Sequence, residues 1–438
     1  MLGAILAIGY TALFLYAILR MRFFALPGLR KRHLAGLFLL KVMAGTALWW
    51  IYTYHFADRS TADIYKYFDS SKPMYDALWT KPVDFFQMLF GIRNDSPYFS
   101  ETYYRHMDHW FRKYESNLYN DSHTMIRFNA LVRIFSDGHF HVHTVFAAFL
   151  SFVGMTALCR AFVQALRGRE RVLYAAVFLL PSVLFWASGV IKESLLFFGF
   201  GLFVWLAFRI MQKRPRLIDM ALMLFCTMLL FLLKFYVLLS AIPALIALAW
   251  CRRSAGTVWI KYAVVLTAYL AIGLNIHHVI DGFNVLDILH WKQRDFIGLA
   301  TLMHSGSFAM PEPLEPTLWS FLKQAPYALF MTLAGPIIYP GGGALGILAA
   351  MENIAILLIV VLCIVYRREI ARIDLPLLLC CITFFTLLAL VIGYTTPVMG
   401  AVVRYRTPLL PFVLIAAILI IDERRISTPF PKLKNLFP

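Results

Sequence analysis

Residues 2–33 read LGAILAIGYTALFLYAILRMRFFALPGLRKRH. Leu2 to Leu19 pass without a single charge, and then Arg20, Arg22, Arg30, Lys31 and Arg32 follow within a short stretch. An uncharged apolar run near the roughly 20 residues that cross a bilayer predicts a transmembrane helix. The basic stretch behind it predicts which end faces the cytoplasm. No basic residue precedes the run and no small-residue cleavage site follows it, so it reads as a retained helix with its N-terminus outside.

The same alternation recurs along the chain. Of 438 residues, 61% are hydrophobic and only 15% charged, and the mean hydropathy is +0.70. Soluble domains hold roughly 45–50% apolar and about 25% charged residues, so this chain has more apolar surface than one globular core can bury. Apolar runs at about 2–19, 34–56, 142–162, 172–189, 194–212, 217–233, 236–250, 257–276, 344–366, 375–395 and 407–421 predict an all-α polytopic membrane protein of about eleven spans. The whole chain, 1–438, reads as one polytopic domain, with no alternation of the kind a β-barrel needs.

The net charge of +17 would suggest nucleic acid if it were spread over a soluble surface. Instead it sits in six segments: 20–33, 160–171, 209–219, 251–261, 366–374 and 422–438. Their net charges of +5, +3, +3, +3, +1 and +2 account for all of it. These segments alternate with the spans so that all six fall on one side, which predicts cytoplasmic loops and a cytoplasmic C-terminus and removes the nucleic-acid reading. Two long loops, about 57–141 and 277–343, then fall outside. The apolar stretch 320–338 would break the alternation as a further span, so it is expected to lie as a helix or re-entrant piece at the outer surface, ended by Pro336, Pro340 and Gly341-Gly342-Gly343. All six cysteines lie in spans or on the cytoplasmic side, which leaves no outer disulfide framework.

Ionisable residues in or at the edge of a membrane are costly and mark candidate sites. Lys41, inside the second span, is expected to snorkel to the cytoplasmic surface. Lys192 and Glu193 lie in the outer turn Ser188-Gly189-Val190-Ile191-Lys192-Glu193-Ser194. Lys234, followed by Tyr236, lies in another outer turn, Glu352 two turns into a span, and Arg404 and Arg406 at the outer mouth of the last span. Any one of the cations Lys192, Lys234, Arg404 and Arg406 could merely anchor the interface, but the positive-inside bias disfavours four of them on this face. Together they would suit a phosphate or pyrophosphate at headgroup depth, clamped by Arg and attracted by Lys.

The first outer loop supplies carboxylates, in Ala57-Asp58-Arg59-Ser60-Thr61-Ala62-Asp63-Ile64-Tyr65-Lys66-Tyr67-Phe68-Asp69. Asp63 and Tyr67 share a helix face, and Asp63 lies at the depth of the four cations. It could take a proton from an acceptor hydroxyl while the cations hold a leaving phosphate. An N-cap or a solvated loop carboxylate would look the same. Amphipathic helices are expected near 76–92 and 122–136. The aromatics between them, including Tyr98, Tyr103, Tyr104, Trp110, Tyr114 and Tyr119, would suit either sugar stacking or an interface belt. His139, His141 and His143 alternate and His106 and His109 are three apart, but no cysteine supports a zinc site, so no metal ligand is assigned.

The Asp63…Tyr67 pair resembles the first-loop signature of membrane glycosyltransferases of the C fold, a group that includes protein O-mannosyltransferases and aminoarabinose transferases of lipid A. Arg404-Tyr405-Arg406-Thr407-Pro408-Leu409-Leu410-Pro411 resembles a run near the last spans of bacterial members. Pro181-Ser182-Val183-Leu184-Phe185-Trp186-Ala187-Ser188-Gly189 with Lys192-Glu193 resembles a stretch of polytopic envelope-sugar proteins. The resemblance implies Asp63 as catalytic carboxylate. Ile64 stands where the family often has a second acid, so Asp58 or Asp69 could serve instead. It also implies a polyprenyl-phosphate sugar donor, inversion at the anomeric carbon and a periplasmic site. The acceptor would be an envelope glycan, lipid or protein, in a bacterial inner membrane. Arg59 is a possible helper at the phosphate, no cofactor is required, and a divalent metal remains possible. The competing functions are a polysaccharide polymerase or ligase and a lipid-linked sugar transporter or flippase. A transporter would place its charges near the midplane, whereas most of these lie at the outer surface.

Overall fold

The computed structural model describes residues 1–55, 59, 62–111, 119–302, 307–309, 311–338 and 343–429. Asp58, Tyr114, Pro340, Gly341 and Gly342 lie outside them. The described residues form α-helices and a few 3₁₀ turns, with only isolated bridges. In chain order the helices are α1 (Leu2–Arg20), α2 (Lys31–Tyr54), α3 (Asp63–Thr80), α4 (Pro82–Phe90), α5 (Pro97–Thr102), α6 (Ser122–Ser136) and α7 (Phe140–Phe162). There follow α8 (Glu170–Phe178), α9 (Pro181–Trp186), α10 (Lys192–Gln212), α11 (Leu217–Arg253), α12 (Val258–Asn275) and α13 (Val285–Leu302). The chain ends with α14 (Leu318–Leu333), α15 (Gly335–Ile338), α16 (Gly343–Val365), α17 (Leu375–Thr395), α18 (Met399–Tyr405), α19 (Leu410–Ile420) and α20 (Glu423–Ser427).

Among the described residues, eight helices are long and apolar enough to cross a membrane, and the bent pair α18–α19, with its 60° angle, would make nine. The protein is therefore an all-α, multi-pass membrane protein. The eleven apolar runs differ from the count of eight at three places: 172–189 is broken, 217–233 and 236–250 share one element, and 407–421 yields only the short α19. Run 172–189 breaks before Pro181, whose ring disfavours helical backbone at the preceding residue, leaving α8 and α9. Runs 217–233 and 236–250 lie end to end in α11 as two helical arms that meet at Lys234, where the backbone leaves the helical region (φ −149°, ψ 77°) at the break expected there. A straight helix of 37 residues would measure about 55 Å against a hydrocarbon layer of about 30 Å. Instead Asp219, near its start, pairs with Arg209 at the end of α10, while Lys234 meets Glu193 at the beginning of α10. Arg252, near the end of α11, pairs with Asp374 at the N-cap of α17.

The basic segments gather on one face. Arg160 donates to the carbonyls of Phe23 and Ala25, and Tyr174 to that of Pro27. Arg169 pairs with Glu423 and holds the carbonyls of Ile418 and Ile421, which Arg368 joins at 3.0 Å. The spans pack closely where side chains vanish. A Cβ on Gly154 of α7 would lie 1.9 Å from the Phe197 carbonyl oxygen of α10, and one on Gly201 would lie 1.9 Å from that of Gly154. Small residues permit this backbone approach, which provides van der Waals contact where lipid supplies little hydrophobic drive.

On the opposite face α3 to α6 form a separate apolar core of Met74, Phe85, Met88, Tyr104, Trp110 and Ile126. The expected helix 76–92 is divided at Lys81, ahead of Pro82, while 122–136 forms α6 as expected. The aromatics expected to stack on sugars or to line the interface mostly have other duties. Tyr104 and Trp110 stack within this core at 4.1 Å, and Tyr98 and Tyr103 both donate to Asp84. Arg133 ties α6 to α3 through the Ser71 hydroxyl and the Phe68 carbonyl, both at 2.7 Å. Helix α14 lies against α17, with Thr332 donating to the Ala389 carbonyl and Tyr394 to that of Phe321. At 16 residues it is shorter than the helices that are long enough to cross a membrane.

Candidate functional site

The turn from Ala187 to Ile191 positions the site. It follows the short α9, and its Ala187 carbonyl accepts from Lys41 Nζ at 2.5 Å, with the Ser188 hydroxyl 3.1 Å away. Lys41 is 1% exposed, so the expectation that it snorkels to the cytoplasm is corrected: its stem runs to this turn instead. Gly45, one turn on, lets α2 close on it, because a Cβ there would sit 2.3 Å from the Ser188 carbonyl oxygen. Ser194 donates to the Gly189 carbonyl at 2.6 Å and locks the start of α10.

The neighbouring residues Lys192 and Glu193 leave this turn on different faces of α10, about 100° apart. Glu193 is fully buried and takes two cations: Lys234 Nζ lies 2.7 Å from one carboxylate oxygen, and Arg404 Nε 2.9 Å from the other. Arg404 also donates to Asp63 Oδ2 at 2.8 Å. Lys192 pairs with Asp121 at 2.7 Å and stands 5.2 Å from the centre of the Tyr67 ring. Five segments thus converge: α3, the N-terminus of α6, the start of α10, the break in α11, and α18. Three cations face three carboxylates.

Exposure grades through this array. Glu193 and Lys234 form a buried floor, at 0% and 4% side-chain exposure, while Asp121 and Asp63 keep 26% and 33%. The open end is therefore carboxylate. Aromatic rings form the wall: Lys234 lies 4.1 Å from the Tyr405 ring centre, Arg404 5.7 Å from that of Trp186. Burial would push the Asp63 carboxyl up, but Arg404 first and Lys192 after it outweigh burial and hold it below the usual carboxylate value. Burial also pushes the Tyr67 hydroxyl well above its ordinary value, so it stays neutral.

Other sequence candidates fall elsewhere. Arg406 is fully buried, and donates to the Asn353 side chain at 2.6 Å and the Thr332 carbonyl at 3.2 Å, so it ties α16 and α14 together instead of joining Arg404. Glu352 accepts from the backbone and hydroxyl of Ser182 and anchors the start of α9. Asp69 forms a bidentate pair with Arg59 at the surface, with Arg59 also 3.9 Å from the Tyr65 ring centre. That pair stands outside the array. Tyr236 lines its edge, 5.9 Å from Lys234 and 5.4 Å from Lys292.

Sequence reasoning missed Asp121, which sat among about eleven acids of the loop. Its position at the start of a helix predicted from periodicity was the available signal. His143 bonds Asn129 and Ser136 inside the protein. Among the described residues no group of three or more His, Cys, Asp or Glu stands where it could hold a metal. Compared with known proteins, the chain matches no family model, no curated protein and no solved structure.

Proposed function

We propose that the protein is a membrane glycosyltransferase that moves a sugar from a polyprenyl-phosphate donor to an acceptor hydroxyl at the outer face, with Asp63 as base. The observation that carries this reading is the contact of Asp63 with a buried three-cation array at one end of the helical bundle. The acceptor oxygen attacks the anomeric carbon, its proton passes to the Asp63 carboxylate, and the bond from carbon to the phosphate oxygen breaks. The pair of electrons leaves with the phosphate, which needs no general acid because it is already a good leaving group. Arg404 and Lys192 take up its charge, the guanidinium in a bidentate grip.

Every cation of the array has a carboxylate partner within the protein, so a phosphate enters by displacement. On Arg404 it takes the place of Asp63, and the freed carboxylate then meets the acceptor as a stronger base. This exchange ties base activation to donor binding, and it suits a carboxylate that keeps a third of its surface exposed. The aromatic wall of Trp186, Tyr67 and Tyr405 suits a sugar ring.

The test is transfer from a panel of polyprenyl-phosphate hexoses and pentoses by the purified protein in bilayers. Asp63→Asn is expected to lower turnover by at least a hundredfold, within the usual contribution of a general base, at unchanged expression. Full activity of that variant would exclude Asp63 as base.

A further inference from the structure

On the face opposite this array, a cleft of about 260 Å³ opens between the ends of α7, α17 and α19. Arg167, Arg169, Arg368 and Arg372 line it, with Asp374 and Glu423. Both acids are already engaged, Glu423 by Arg169 and Asp374 by Arg252 and the backbone of Leu377. Arg167 has no carboxylate partner among the described residues. Among the described residues Arg372 pairs with Glu369 alone, the two being 72% and 67% exposed, and such pairs contribute little. A second cleft of about 290 Å³ adjoins the first, shares Arg368 and adds Arg367, Arg425, Ile370 and Glu369, the acid that pairs with Arg372.

The placement is specific. Leu166 follows the end of α7, Asp374 is the N-cap of α17, and Leu419 lies in the last turn of α19. The cleft is thus at the level where three apolar helices leave the hydrocarbon, on the face that the positive-inside bias assigns to the cytoplasm. We propose that these two clefts bind the phosphodiester headgroup of an anionic membrane lipid, with its acyl chains along the neighbouring helices. Basic pockets between helices at this level suit such headgroups. Arg169 connects occupancy to structure, because the same side chain that lines the cleft holds the Ile418 and Ile421 carbonyls at the end of α19. The site is remote from the array and does not depend on the glycosyltransferase reading.

The full chain is reconstituted in nanodiscs of phosphatidylcholine, with or without phosphatidylglycerol of the same acyl chains. Bound lipid is counted by native mass spectrometry, and the thermal midpoint is followed alongside. Arg167→Gln/Arg372→Gln removes two exposed cations that do not hold the α19 end. Lys213→Gln/Arg214→Gln removes the same charge from another loop of the basic face. Retained phosphatidylglycerol and a raised midpoint are expected for the wild type. The first variant should bind it about thirtyfold more weakly, taking about fivefold for each surface cation, and the control within about threefold of wild type. Three results would overturn the proposal: no preference over phosphatidylcholine, equal losses in both variants (diffuse attraction), or the same stabilisation by millimolar inorganic phosphate in phosphatidylcholine alone (a free-phosphate site).

Discussion

Glu193 is the residue on which the array turns, and its removal has a calculable consequence. In Glu193→Gln, Arg404 keeps Asp63 at 2.8 Å, whereas Lys234 loses its carboxylate and retains only the Tyr405 and Tyr236 rings. Breaking a buried pair by removing one partner costs about 3–5 kcal/mol. The ring contacts, worth about 2 kcal/mol or more for a desolvated cation, are present before and after and do not offset the loss. Lys234→Met makes the complementary break, leaving Glu193 with Arg404 alone, and should cost a similar amount. The double variant removes both members and leaves no orphaned charge at Lys234. It should be less destabilised than the two single costs added, by about 0.5–3 kcal/mol, the coupling usual for groups in one network. Unfolding in mixed detergent and dodecyl sulfate micelles, followed by circular dichroism, measures all four proteins of the cycle. Single costs that add within about 0.5 kcal/mol, the scatter of independent sites, would refute the claim that Glu193 and Lys234 act as a unit.

Asp63 gives a pH signature. Its carboxyl is held below its ordinary value near 3.9, so its ionisation stabilises the fold at any pH above that value and ceases to do so as pH falls through the lower folded value. The acid limb of the wild-type stability profile below about pH 4 should therefore be shallower in Asp63→Asn; superimposable limbs would deny the Arg404 contact. Arg133→Met leaves the array untouched but releases α3 from α6, and should lower transfer at least tenfold with the spans intact by circular dichroism. Gly154→Leu forces α7 from the Phe197 carbonyl, and should cost more stability than the roughly 1–3 kcal/mol of ordinary overpacking, because backbone cannot rotate away as a side chain does. A melting midpoint within a degree of wild type would show that the crossing is loose.

Hydropathy and charge reveal depth along the membrane normal, and they placed Lys192, Lys234, Arg404 and Asp63 at one level. They do not reveal direction around a helix axis. Arg404 and Arg406 are two residues apart, hence about 200° apart on a helix, so a shared depth sends one to Glu193 and the other to Asn353. Lys41 shows the same limit: its span was legible, but a buried carbonyl of the 187–191 turn takes its ammonium before the surface can. Asp121 was hidden because a carboxylate in a long loop acquires meaning only through the fold that lays α6 over the α11 break, where Thr124 donates to the Leu232 carbonyl. The break at Lys234 was legible as an interruption of two apolar runs. That it is a single non-helical residue was not, since no Pro or Gly marks it.

Whether Arg404 and its neighbours hold a lipid-linked phosphate can be tested without knowing the sugar, because every donor of this class leaves polyprenyl phosphate behind. The decisive measurement is its affinity for the purified protein in phosphatidylcholine nanodiscs, compared with Arg404→Gln and with Arg406→Gln as a buried arginine outside the array. Saturable binding to the wild type is expected, weakened at least tenfold by Arg404→Gln and little changed by a folded Arg406→Gln. Equal affinity of Arg404→Gln and wild type would contradict it.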